Sequence, residues 1–153
     1  MSLSMPSPLR AAAAAFAIAA MPAPAIAESS EERRKRGEAV IRSLNNDEPQ
    51  QALERMRQEF PFLAEATEAY ALGDVWSRTG LDSRTRQLAA VAAFAATGQT
   101  AFMKVHAGYA LNIGVPEGEL KEIVYLITVP AGISRAIAAS QALSELFAER
   151  RKQ

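Results

Sequence analysis

The chain has 153 residues, 49% hydrophobic and 22% charged, with 17 basic against 17 acidic side chains, one histidine and no cysteine. Zero formal net charge argues against a general nucleic-acid binder, which presents a basic face, and the lack of cysteine excludes disulfides, thiolate nucleophiles and cysteine-ligated metals. One histidine is too few for a usual catalytic zinc site, and the length fits one domain.

In chain order, the first segment is not expected to belong to that domain. Arg10 precedes an apolar run, Ala11 to Ala20, and a proline-broken stretch ends in Ala25-Ile26-Ala27. The run is about half the length that crosses a bilayer, so residues 1–27 are read as a secretory signal cleaved after Ala27. The expectation is an exported, periplasmic protein with one domain over residues 28–153 and no membrane contact once the signal is removed.

From Glu28 the pattern is helical, because proline and glycine fall between periodic segments and alternating β-branched runs are missing. Gly37, Val40, Ile41 and Leu44 predict a helix over 31–44, opened by a charge cluster, Glu31 to Arg36, expected to be solvated. A loop at 45–49 leads to predicted helices over 50–60 and 61–72, then a connector, 73–80, that holds the only tryptophan, Trp76. Asp82 is expected to cap a helix over 83–96 with the stripe Leu88, Val91, Ala92 and Ala95, ended by Gly98. Thr100 is expected to cap a helix over 101–112, with Gly114 just past its end. Pro116 opens a helix with the stripe Leu120, Ile123, Val124 and Ile127, broken at Pro130 and Gly132, and a last helix covers 133–150. The fold class is therefore all-α, a compact bundle of six to seven helices.

Candidate chemistry falls on a few residues. His106 shares a helical stripe with Phe102, Tyr109, Ala110 and Ile113, so it is either a core histidine with one hydrogen bond or a partly desolvated general acid or base. Arg78, Arg84 and Arg86 flank the start of the Asp82-capped helix, where guanidinium forks suit a carboxylate. Arg84 and Arg86 are two apart, so at most one of them faces a pocket together with Arg78. Glu119 and Glu122 serve the helix dipole in one reading. In the other, Glu122 orients His106 if their two helices pack together. Tyr70 and Trp76 are core anchors or platforms for substrate. The sequence carries no motif for a metal, flavin, nucleotide or haem.

Taken in order, the run from Tyr70 to Leu81 (YALGDVWSRTGL), Arg84-Thr85-Arg86, His106, Ala110 to Val115 and Glu119 to Ile123 resembles the carboxymuconolactone decarboxylase family, as does Arg36-Gly37 in the first helix. The resemblance covers nearly all of residues 28–153. It implies an alkylhydroperoxidase-D-like helical fold assembling as a ring of identical subunits, a trimer or hexamer, with a pocket between subunits and no cofactor. It also implies the roles: Arg84 or Arg78 holding the acid, His106 delivering a proton, Glu122 orienting the histidine, and a small carboxylated lactone as substrate. The thiol-peroxidase branch of the family has CxxC where this chain has Gln99 and Phe102, and a glutamate where it has Gln87, so thiol-based peroxide reduction is excluded. Pro130 stands where the decarboxylase pattern has tyrosine, and Ser134 where it has proline. The alternative to a lyase is a non-catalytic exported oligomer that binds a small acid or a partner protein. His106 facing an arginine across a pocket favours the lyase, and a pocket filled by Phe102 and Tyr109 favours the binder.

Overall fold

The computed structural model describes residues 28–152, so the signal sequence expected over 1–27 lies outside the described residues. Helix α1 (Ser30–Leu44) starts at a reciprocal cap: the Ser29 hydroxyl accepts from the Glu32 backbone and the Glu32 carboxylate accepts from the Ser29 backbone. Asn46 and Asp47, both with positive φ, turn the chain into α2 (Gln51–Glu59). Helix α3 (Pro61–Glu65) runs directly into an eleven-residue π-helix, Ala66–Trp76. There follow α4 (Ser83–Thr97), α5 (Thr100–Asn112), α6 (Glu117–Leu126), the single turn α7 (Thr128–Ala131) and α8 (Ile133–Arg150). No strand occurs among the described residues, and none of the described helices is long and apolar enough to cross a membrane.

The all-α expectation holds, and most predicted ends fall where local chemistry puts them. The Asp82 carboxylate accepts from the Thr85 backbone N–H at 2.7 Å, and Gly98, at φ 77°, closes α4 in the left-handed conformation. Two expected helix boundaries differ. Thr100 is the first residue of α5, not its cap, and the preceding Gln99 makes no side-chain cap bond. Gly73, read as the start of a connector, lies inside the π-helix, which continues to Trp76.

Packing explains the second difference. A Cβ on Gly37 of α1 would stand 2.1 Å from the Glu68 carbonyl oxygen, and one on Gly73 would stand 2.1 Å from that of Arg33. The two helices thus meet backbone to backbone at reciprocal glycines. Long π-helices are intrinsically poor, and side chains clamp this one. The Arg33 guanidinium forks onto the Asp74 carboxylate, Arg36 Nε donates to the Gly73 carbonyl at 3.0 Å, and Arg57 pairs with the buried Glu68. Part of the charge cluster expected to be solvated is therefore an anchor.

Two apolar clusters meet along α5. Met103, Ala107 and Ala110 join Val91 and Ala95 of α4, Leu120 and Val124 of α6 and Leu143 and Phe147 of α8. Tyr109, on another face of α5, packs with Ile41, Leu44 and Leu53.

Gly37→Ala decides between two opposing effects. Helix propensity alone would stabilise the variant by about 1 kcal/mol. The contact with the Glu68 carbonyl must instead force the helices apart, so urea unfolding is expected to show a net loss of about 2 kcal/mol.

Candidate functional site

His106 occupies a stripe of α5 facing α4 and the end of the π-helix. Its ring stacks against Trp76, with centroids 5.1 Å apart and planes 30° from parallel, and against Phe94, at 5.1 Å and 20°. Tyr109, one turn on, presents an edge contact at 6.0 Å. The ring nitrogen Nδ1 lies 2.8 Å from Oε1 of Gln87 on α4. An amide oxygen only accepts, so Nδ1 bears the proton in this arrangement and Nε2 keeps a lone pair.

The surroundings set the charge state. Burial alone pushes the His106 imidazolium down from 6.5 to about 4, so the ring is neutral at pH 7. The same burial raises the Tyr109 phenol to about 12. Neither Phe102 nor Tyr109 fills a pocket over the histidine: Phe102 is exposed and stacks on Phe94, and Tyr109 belongs to the core.

A cavity of about 360 Å³ opens beside this group, between the C-terminal half of α1 and the segment from Trp76 to Arg86. Trp76 links the two features, lining the cavity and stacking on His106, whereas His106 is not among the lining residues. Arg78, Asp82 and Arg86 are the charged groups of the wall. The Arg86 fork is engaged with the carbonyls of Arg78 at 2.6 Å, Leu81 at 3.3 Å and Val75 at 3.4 Å, holding the connector closed. Among the described residues no carboxylate pairs with the Arg78 guanidinium, which leaves it available to an anion.

The other candidates are dispersed. Arg84 is exposed, pairs with Glu119 and does not line the cavity, because α4 and α6 pack together and bring those two side chains to one surface. Glu122 is exposed on α6 and does not orient His106. Helix α6 turns Leu120 and Val124 inward against α4 and α8, and α4 supplies the histidine's partner. Tyr70 is exposed and lines a separate groove with Arg33, Phe62 and Glu65, so it is not part of the His106 group. Trp76 and His106 are therefore brought together, with Arg78 across the Trp76 side. Gln87 and Phe94 complete the group, and sequence spacing alone does not mark them as contacts of His106. A polar Gln87 four residues before Val91 and eight before Ala95, on the face of α4 that is buried, was the available signal.

The lowered histidine leads to a stability prediction with a definite sign. A histidine held neutral by the fold stabilises it fully above the unfolded value of 6.5 and loses that contribution as pH falls toward about 4. Urea unfolding of the protein is expected to lose about 3 kcal/mol more over that window than His106→Asn, which has no titrating ring.

The model of the carboxymuconolactone decarboxylase family matches residues 61–145, more than half of the chain, from α3 through most of α8. The chain is also similar to the 4-carboxymuconolactone decarboxylase of Acinetobacter baylyi, 36% identical over 78 residues that make up 51% of this chain. The match spans 58% of that relative's length.

Proposed function

The chain belongs to the carboxymuconolactone decarboxylase family, and from that premise we propose that it is a carboxy-lyase that removes CO2 from a small carboxylated lactone, with His106 as proton donor. The observation that supports this reading best is the state of His106: one nitrogen fixed by an amide, the other unengaged, in a ring that burial keeps uncharged.

The chemistry accounts for that state. When the bond between the ring carbon and the carboxylate breaks, its electron pair moves through the conjugated double bond into the lactone carbonyl, and CO2 leaves. A proton must then be added to carbon, so each turnover consumes one. At about 4, only about one free enzyme in a thousand carries the imidazolium at pH 7. A substrate bearing carboxylates supplies the missing charge itself: bound beside the ring, it raises the imidazolium's stability. His106 is loaded at Nε2 on binding and discharged at Nε2 onto carbon. Arg78 anchors a carboxylate in the neighbouring cavity, and Trp76, shared by the cavity and the His106 stack, marks the side from which the substrate reaches the ring.

The wider reading includes a homo-oligomer and export. Tyr125, Leu126, Val129, Ile133 and Ile137 are exposed across α6, α7 and α8, an apolar surface suited to a second subunit. The signal pattern of residues 1–27 supports a periplasmic location. A binding role without turnover is the competing reading, favoured by the position of His106 outside the cavity wall.

Steady-state decarboxylation of 4-carboxymuconolactone separates the two. His106→Ala is expected to lower kcat by about 100-fold to 10,000-fold, and Arg78→Ala to raise KM by about tenfold or more, as lost charged hydrogen bonds do. Tight binding of the lactone with no CO2 from the unaltered protein would favour the binding role. Calorimetry in two buffers of different ionisation heat is expected to show proton uptake on dicarboxylate binding that reaches at most about half a proton at pH 7, rises at lower pH, and falls toward zero in His106→Ala.

A further inference from the structure

We propose that Gln87 is the positioning residue of this site: its amide fixes the His106 ring as the Nδ1–H tautomer and keeps Nε2 as the one nitrogen that exchanges a proton. The inference rests on the reading of His106 as proton donor and adds what sets that nitrogen's identity. Gln87 has no exposed surface, and its Oε1 is the only polar partner of the imidazole among the described residues. The other contacts of the ring, Trp76, Phe94 and Tyr109, are aromatic faces and edges that do not choose between the nitrogens.

An acceptor at Nδ1 serves both states of a general-acid cycle. The imidazolium donates from Nδ1 to Oε1 and offers its second proton from Nε2. After that proton leaves, the neutral ring keeps the same bond to Oε1, so nothing around it has to rearrange. A carboxylate at position 87 would give the same geometry but add a negative charge that holds the proton on the ring before substrate arrives. An amide holds the orientation without that charge, so the decision to protonate passes to the anionic substrate.

The groups around the ring leave this decision to few residues. From the π-helix Trp76 faces it, from α4 Gln87 and Phe94, and from α5 Tyr109, the one ionisable group among them, which stays neutral throughout the useful range. Lys104, on the same helix, is engaged with Glu145 and Glu149 of α8 at 3.2 Å each.

The chain contains a single histidine, so nitrogen-15 NMR of the uniformly labelled full-length protein reads His106 alone and needs no substrate. At pH 7 the unaltered protein is expected to show the neutral Nδ1–H tautomer. Gln87→Leu is expected to lose that preference, giving a mixture or the Nε2–H form, at unchanged helix content by circular dichroism. Gln87→Glu is expected to restore Nδ1–H and to raise the ring's proton affinity about tenfold or more. That would also carry the falling limb of the kcat/KM profile to higher pH. The Nε2–H tautomer in the unaltered protein, or an unchanged tautomer in a folded Gln87→Leu, would overturn the proposal. Should Gln87→Leu fail to fold, Gln87→Glu decides alone, and an unshifted titration there overturns it. Absence of CO2 from the lactone would strike the decarboxylase reading and leave these spectra as they are.

Discussion

The backbone contact between α1 and the π-helix, made at Gly37 and Gly73, is the constraint on which the site depends. No side chain separates the two helices there, and a single Cβ on either glycine would collide with a carbonyl 2.1 Å away. The wide coil of the π-helix is held by this contact and by the Arg33, Arg36 and Arg57 clamps, and it ends at Trp76. Trp76 is thereby delivered onto the face of His106 and into the wall of the cavity at once. An α-helix over the same residues would advance the chain further per turn and rotate Trp76 away from that position.

Electrostatics and packing work in opposite directions around the histidine, and packing wins. Three aromatic rings and a buried amide surround the imidazole, and no carboxylate of the described residues reaches it. Desolvation therefore drives the ring neutral. The cationic groups of the neighbourhood are sorted by what they hold: Arg86 is spent on three carbonyls of the connector, Arg84 on Glu119 at the surface, and Arg78 remains at the cavity. Arg78, which pairs with no carboxylate among the described residues, lies across Trp76 from the neutral histidine, and this arrangement supports the proposed anionic ligand.

Local chemistry was legible in the sequence, and relations between helices were not. Asp82, Gly98 and Gly114 mark ends that depend only on their own few residues, so the limits of α4 and the end of α5 follow from them. Gly73 was misleading because glycine answers two needs, a helix stop and a close approach, and only the position of α1 distinguishes them. His106 stood out through its stripe and its uniqueness. Its partner did not, because choosing Gln87 over Glu122 requires knowing that α4 faces α5 while α6 turns Glu122 to solvent. The same reasoning separates Arg84 from Arg78: both lie near the start of α4, and only the fold shows which of them meets a carboxylate of the chain itself.

In the proposed reaction His106 hands a proton to carbon as CO2 departs. The most direct measurement follows 4-carboxymuconolactone, labelled with carbon-13 in the ring-borne carboxylate, through turnover in D2O by NMR. Expected are one equivalent of labelled CO2 and bicarbonate and a product with the lactone ring intact and one deuterium on carbon, all three forming at least about 100-fold more slowly in His106→Ala. Ring opening with the label still attached to the product, or equal turnover in His106→Ala, would contradict it.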